Sequence, residues 1–193
     1  MTNIKNVIKT IGILGGTFNP IHYGHIQLAC YAKCILALDE VHFVINKYPP
    51  HKEPDVSVKH RLAMLRLTLK NTDFKINTIE LNRNKKSYTI DTVKEYIRNY
   101  PKDKLLLILG HDYQDDKLLK SWREYKQLKH LISFMIAGKD FYCQKYAISS
   151  TLIRTSIQNL RDKNFYLFNY LNSEVQEYII KHKLYLKKGE IRK

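Results

Sequence analysis

The chain has little of what staples, hinges or spans: among 193 residues there are three cysteines, five prolines, seven glycines and one tryptophan. Three cysteines without a framework spacing exclude a disulfide scaffold and suit a reducing compartment, for which the cytoplasm is the expectation. No apolar run approaches the ~20 residues of a membrane span. The start, with Lys5 and Lys9 and few apolar residues before Gly15, lacks a signal-peptide core. No repeat and no Gly-, Ser- or Pro-rich linker interrupts the chain, so one domain over residues 1–193 is expected. Acidic residues are also scarce, 18 against 33 basic ones, for a net charge of +15. The tail from Lys181 to Lys193 contributes a net +5, leaving +10 spread over the rest. Such an excess suits nucleotides and nucleic acid equally. Arg83, Lys85 and Lys86 read as a solvated loop, because no row of aromatics accompanies them.

The few glycines are concentrated. Gly12, Gly15, Gly16 and Gly24 all fall in the opening segment, where the apolar run Thr10 to Leu14 leads into Gly15-Gly16-Thr17-Phe18-Asn19-Pro20-Ile21-His22-Tyr23-Gly24-His25. This predicts a buried strand, a tight turn, and a helix opening near Ile21 to Gly24 with Pro20 at its first positions. A helix start attracts anions, and glycines let phosphate oxygens approach the backbone. His22 and His25, three apart, would share one helical face and reach one phosphoryl group. A zinc site with Cys30 and Cys34 is disfavoured, since His25 and Cys34 would lie about 13 Å apart on a continuous helix. The two cysteines are expected to pack as small apolar residues.

Further buried strands are predicted at Val41 to Ile45, Lys75 to Leu81, Lys104 to Gly110 and Ile132 to Gly138. Helical patterns cover Gly24 to Leu38, Val58 to Leu69, Thr89 to Asn99 and Leu118 to Leu131. The alternation predicts an α/β fold with a doubly wound parallel sheet, whose ligands gather at the carboxyl ends of the strands. From about residue 148 a small helical C-terminal part follows, with helices over Thr151 to Leu160 and Glu174 to Lys183, the latter opened by a capping box of Ser173 and Gln176. Ile148-Ser149-Ser150-Thr151-Leu152-Ile153-Arg154 sets hydroxyls at a helix start and an arginine a turn later. That is a second anion site, although a capped helix with an exposed arginine would read the same way in isolation.

His22-Tyr23-Gly24-His25 behind Gly15-Gly16-Thr17-Phe18 resembles the T/HxGH signature of the nucleotidyltransferase superfamily, and Ile148 to Arg154 is similar to the ISSTxIR string of bacterial nicotinate-nucleotide adenylyltransferases. Pro49-Pro50-His51-Lys52, Ser87-Tyr88-Thr89 with Asp91-Thr92, Gly110-His111-Asp112, Trp122, and Val175 with Tyr178-Ile179 ahead of Leu184-Tyr185 match that family in order. The resemblance implies a Rossmann-like nucleotidyltransferase fold and adenylyl transfer from ATP to nicotinate mononucleotide, with Mg2+ carried in by ATP. It also implies an ATP site at Gly15, Gly16, Thr17, Phe18, His22, His25, Gly110, Asp112, Ser149, Ser150, Thr151 and Arg154. The mononucleotide would meet Lys52, Tyr88, Thr89, Trp122 and Arg123, and catalysis would fall to His22, His25, Lys52 and Arg154. Read alone, Trp122 fits a core residue better than a ligand contact, and His51-Lys52 fits an ordinary exposed loop as well as a functional one. Nicotinamide mononucleotide or another phosphorylated acceptor, and more distantly a basic nucleic-acid-binding role, remain as alternatives. Two residues depart from the pattern: Asn19 where the family often has Asp, and His111 where a small residue is common.

Overall fold

The computed structural model describes residues 7–51, 53–138, 148–158 and 170–186. The opening apolar run forms β1 (Thr10–Gly16), followed by α1 (Tyr23–Ile35), β2 (Glu40–Ile45), α2 (Val58–Leu69) and β3 (Lys75–Asn77). A 3-10 turn (Ile79–Asn82) leads to α3 (Thr89–Asn99), β4 (Lys104–Leu109), a second 3-10 turn (His111–Gln114), α4 (Asp116–Lys120), α5 (Tyr125–Leu131) and β5 (Ser133–Ile136). Then come α6 (Ser150–Gln158) and α7 (Ser173–Lys181).

All strand pairings are parallel, in the order β3-β2-β1-β4-β5. Alternate residues of a strand face opposite sides, so one strand feeds two cores. Val41, Phe43, Ile45 and Ile108 join one with residues of α1, α2, α6 and α7, while Ile13, Val44, Leu107 and Leu109 join the other with residues of α3, α4 and α5. The sheet is therefore doubly wound, as the alternating pattern implies. Its order reverses between β1 and β4, which opens a crevice at their carboxyl ends. Among the described residues, no helix is long and apolar enough to cross a membrane.

Several boundaries differ from the sequence-based expectation. Pro20 is not in the first turn of α1: a cis Asn19-Pro20 bond precedes Ile21, and His22 is the N-cap. The run Lys75 to Leu81 is strand only to Asn77, because the Asn77 side chain accepts from Ile79 N–H at 2.9 Å and turns the backbone into the 3-10 segment. The pattern Leu118 to Leu131 breaks into α4 and α5 at Glu124, whose φ of 55° leaves the right-handed helical region. Asn172 caps α7 by accepting from Glu174 N–H, so Ser173 is its first helical residue. Cys30 and Cys34 are exposed and do not pack inside, because the buried stripe of α1 runs through Leu28, Ala29 and Ala32. Arg83 is not solvated; its guanidinium donates to Thr92 Oγ1 at 2.8 Å and pairs with Glu95. The last two residues of the helix expected over Thr151 to Leu160 lie outside the described residues.

Candidate active site

The crevice is a cavity of about 570 Å3. Its floor is the end of β1. A Cβ on Gly15 would point into open space, whereas one on Gly16 would come within 2.7 Å of the Phe18 ring. Gly15 thus leaves room for a ligand, and Gly16 leaves room for Phe18. That phenylalanine has a φ of 47° and is 1% exposed, with its ring between His25 (centroids 5.1 Å apart) and Phe43 (5.7 Å). Its side chain is core, so toward the cavity it offers backbone.

The two histidines are neighbours with unlike surroundings. Their ring centroids are 3.8 Å apart. His25 Nδ1 accepts from the His22 backbone N–H at 3.3 Å, so a neutral His25 ring carries its proton on Nε2. His22 is buried, and its Nδ1 has no hydrogen-bond partner. Burial, reinforced by the adjacent His25, holds its pKa well below the ordinary histidine value. A buried ring nitrogen without a partner at the start of a helix is a group that a ligand can satisfy.

The segment Ile148 to Arg154 closes on the first motif. Ser149 Oγ accepts from Leu152 N–H at 3.1 Å and so caps α6. Ser150 Oγ donates to the Pro20 carbonyl at 2.9 Å, and Arg154 Nη1 to the Asn19 carbonyl at 2.9 Å. The serine hydroxyls and the Arg154 guanidinium are thus all engaged with protein where the start of α6 meets the cavity. Thr17, Ser149, Ser150, Thr151 and Arg154 all line it. On the other side of β1, Gly110 and Asp112 line it from the end of β4, and His111 Nδ1 is 3.0 Å from Asp112 Oδ1.

The far wall is aromatic. Tyr88 and Thr89 at the start of α3, with Trp122 and Arg123 before α5, line the cavity. Trp122 meets Tyr113 edge-on at 5.2 Å, and the Arg123 guanidinium lies 4.9 Å over the Tyr88 ring. Pro49, Pro50 and His51 also border the cavity, while Lys52 lies outside the described residues.

A family model described as cytidylyltransferase-like matches residues 13–156. The chain is 34% identical over 192 residues to a probable nicotinate-nucleotide adenylyltransferase of Oceanobacillus iheyensis, covering 92% of this chain and 97% of that one. It is 32% identical to the nicotinate-nucleotide adenylyltransferase of Bacillus subtilis, covering 88% and 97% respectively. The chain belongs to the nicotinate-nucleotide adenylyltransferase family. A solved structure of the Plasmodium falciparum nicotinic acid mononucleotide adenylyltransferase complexed with NaAD shares its fold, with a TM-score of 0.77 at 22% identity over 92% of this chain and 97% of that one.

Three residues that sequence reasoning passed over brace this family member's site. Arg61, 1% exposed, donates to the carbonyls of Thr17 (2.8 Å), Asn46 (2.7 Å) and Lys47 (3.2 Å), tying the β1 turn to the end of β2. Burial lowers its pKa to about 10, which leaves it charged at neutral pH. The available signal was an arginine on the apolar stripe of α2, in line with Met64, Leu65 and Leu69. Glu80, also buried, accepts from Thr92 Oγ1 at 2.6 Å and from Asn46 Nδ2 at 3.2 Å, and burial pushes its pKa up. Its signal was a carboxylate inside the run Ile79-Glu80-Leu81. Asp55, 3.0 Å from Arg154 Nε, sits in a loop and offered no signal.

Proposed function

We propose that the cavity binds ATP and nicotinate mononucleotide side by side and transfers the adenylyl group between them, giving nicotinate adenine dinucleotide and pyrophosphate. The observation that carries this reading is the convergence of two helix starts, α1 and α6, on one cavity whose opposite wall is aromatic. Both starts offer amides and positive charge to a polyanion. ATP would lie over Gly15, Gly16, Thr17 and the Phe18 backbone, with His22 and His25 on its α- and β-phosphoryl oxygens and α6 with Arg154 on the outer phosphates. Asp112 would accept from the ribose hydroxyls. Trp122 and Tyr88 would flank the pyridine ring, and the start of α3 at Thr89, with Arg123, would meet its carboxylate. Lys52, following His51, would neutralise further phosphate charge.

The acceptor phosphate has a second pKa of ~6, so at neutral pH it attacks the α-phosphorus without a general base. Catalysis is then positioning of two polyanions in line, plus stabilisation of the charge that grows on the bridging oxygen of pyrophosphate. The imidazole of His25 would serve that second task. Mg2+ fits as an ion carried by the nucleotide and water, since Glu80 and Asp112 are the carboxylates on the cavity and no three metal-ligating side chains cluster among the described residues. Bound there, it would neutralise phosphate charge. Cysteine usage suits a cytoplasmic setting for this reaction.

The test is a parallel assay of nicotinate and nicotinamide mononucleotides with ATP and Mg2+, reading pyrophosphate. Faster release with nicotinate mononucleotide supports the proposal. A preference for the amide would change the acceptor. Release with neither, alongside salt-sensitive oligonucleotide binding, would replace the reading.

A further inference from the structure

Asn19 is 6% exposed and both ends of its carboxamide are engaged. Its Oδ1 accepts from the Tyr185 hydroxyl at 3.0 Å, and its Nδ2 donates to Asp55 Oδ2 at 2.8 Å. The same Asp55 oxygen is 3.0 Å from Arg154 Nε, while Arg154 Nη1 donates to the Asn19 carbonyl at 2.9 Å. Segments 36 to 166 residues apart in sequence meet here.

We infer that Asp55 is a positioning residue for adenylyl transfer, holding the Arg154 guanidinium toward the nucleotide phosphates, and that the amide of Asn19 is what admits a carboxylate at that place. This rests on the reading that Arg154 meets the ATP phosphates. Asp55 does not line the cavity, whereas Asn19 and Arg154 do. It therefore acts through the arginine. With Nε on Asp55 and Nη1 on the Asn19 carbonyl, the guanidinium is fixed. Its Nη2, 3.3 Å from Thr151 Oγ1, lies beside the first turn of α6. A free arginine would lose its rotamer freedom on meeting the nucleotide, and here that loss is taken in folding.

The orientation of the Asn19 amide follows from its partners. The Tyr185 hydroxyl, donating, requires an oxygen, which turns the nitrogen to Asp55. An aspartate at position 19 would set oxygen against oxygen at hydrogen-bond distance. The amide at 19 and the carboxylate at 55 are thus a matched pair.

The experiment compares Asp55→Asn, Asn19→Asp and the exchange Asn19→Asp/Asp55→Asn with the parent, by pyrophosphate release and by calorimetric ATP binding without acceptor. Asp55 has a side chain 46% exposed, so Asp55→Asn should keep the parent's unfolding midpoint. Its KM and Kd for ATP should rise about tenfold, the size expected for a hydrogen bond to a charged group, while KM for nicotinate mononucleotide stays within about twofold. Asn19→Asp should weaken ATP as well, and the exchange should bind ATP more tightly than Asn19→Asp alone, because the pair is coupled. ATP binding by Asp55→Asn within about twofold of the parent would overturn the inference, as would single effects that multiply in the exchange. A parent that binds ATP yet turns over neither mononucleotide would remove the proposed reaction, while the binding arm still reads Asp55.

Discussion

The floor and the far wall of the cavity are built by different means. The floor, Gly15 to His25, is held by the interior: Phe18 is core, His22 is buried, and Arg61 ties the Thr17 carbonyl to the end of β2. The far wall is made of partly exposed side chains, Trp122 and Tyr88, steadied by Arg123 over the tyrosine ring and by Lys85 at 3.4 Å from Asp91. Surface ion pairs of that kind contribute little stability, and Trp122 and Tyr88 only lean on the core beneath α3, α4 and α5, so a change in the wall should cost less than one in the floor. A change in the floor disturbs a core. Under the proposed function this would divide the labour, with phosphate chemistry on the floor and acceptor choice on the far wall.

The largest expected effect tests the rigidity of the floor. Arg61→Met leaves several buried carbonyls without a donor and should cost about 3 kcal/mol or more of stability in urea unfolding, a loss well beyond that of an ordinary surface substitution. A midpoint near the parent's would mean the floor does not depend on this buried cation. Next, His25→Ala should lower kcat by ~10² or more at saturating ATP with the fold intact, as for a lost transition-state donor. Near-normal turnover would remove His25 from the chemistry.

The wall should respond selectively. Trp122→Ala is expected to raise KM for nicotinate mononucleotide about fivefold through lost stacking, leaving KM for ATP near its parental value. Equal changes in both KM values would erase the proposed division. The smallest effect concerns pH. His22 has a folded pKa below its ordinary value near 6.5, so the unfolded chain binds the proton first. The stability from its neutral burial is present above about pH 6.5 and is lost as pH falls toward the folded value. Comparing stability-pH profiles of the parent and His22→Asn isolates this from His42, whose pKa burial also lowers. Parallel profiles below pH 6.5 would show that His22 does not carry the dependence.

Much of this was legible in sequence where the signal is local. Alternating apolar runs marked the five strands, and Gly15-Gly16 with His22 and His25 marked the floor, because a turn and a helix start are specified by neighbouring residues. Signals failed where a partner is distant. Cys30 and Cys34 look apolar by type, yet the rotation of α1 on the sheet turns them outward. Arg83 reads as solvated until Thr92 and Glu95 are seen beside it. In the 118–131 pattern, the left-handed Glu124 interrupts a run that periodicity alone would continue.

Spacing within short segments was enough to read the doubly wound class, the family, and the two segments Gly15 to His25 and Ile148 to Arg154. Only the folded chain shows that those motifs face one another, that His25 Nδ1 accepts from the His22 backbone N–H, and that Arg61, Glu80 and Asp55 brace the site. The reason is physical: a buried polar group is defined by the partner that satisfies it, and those partners stand tens of residues away until the sheet brings them together.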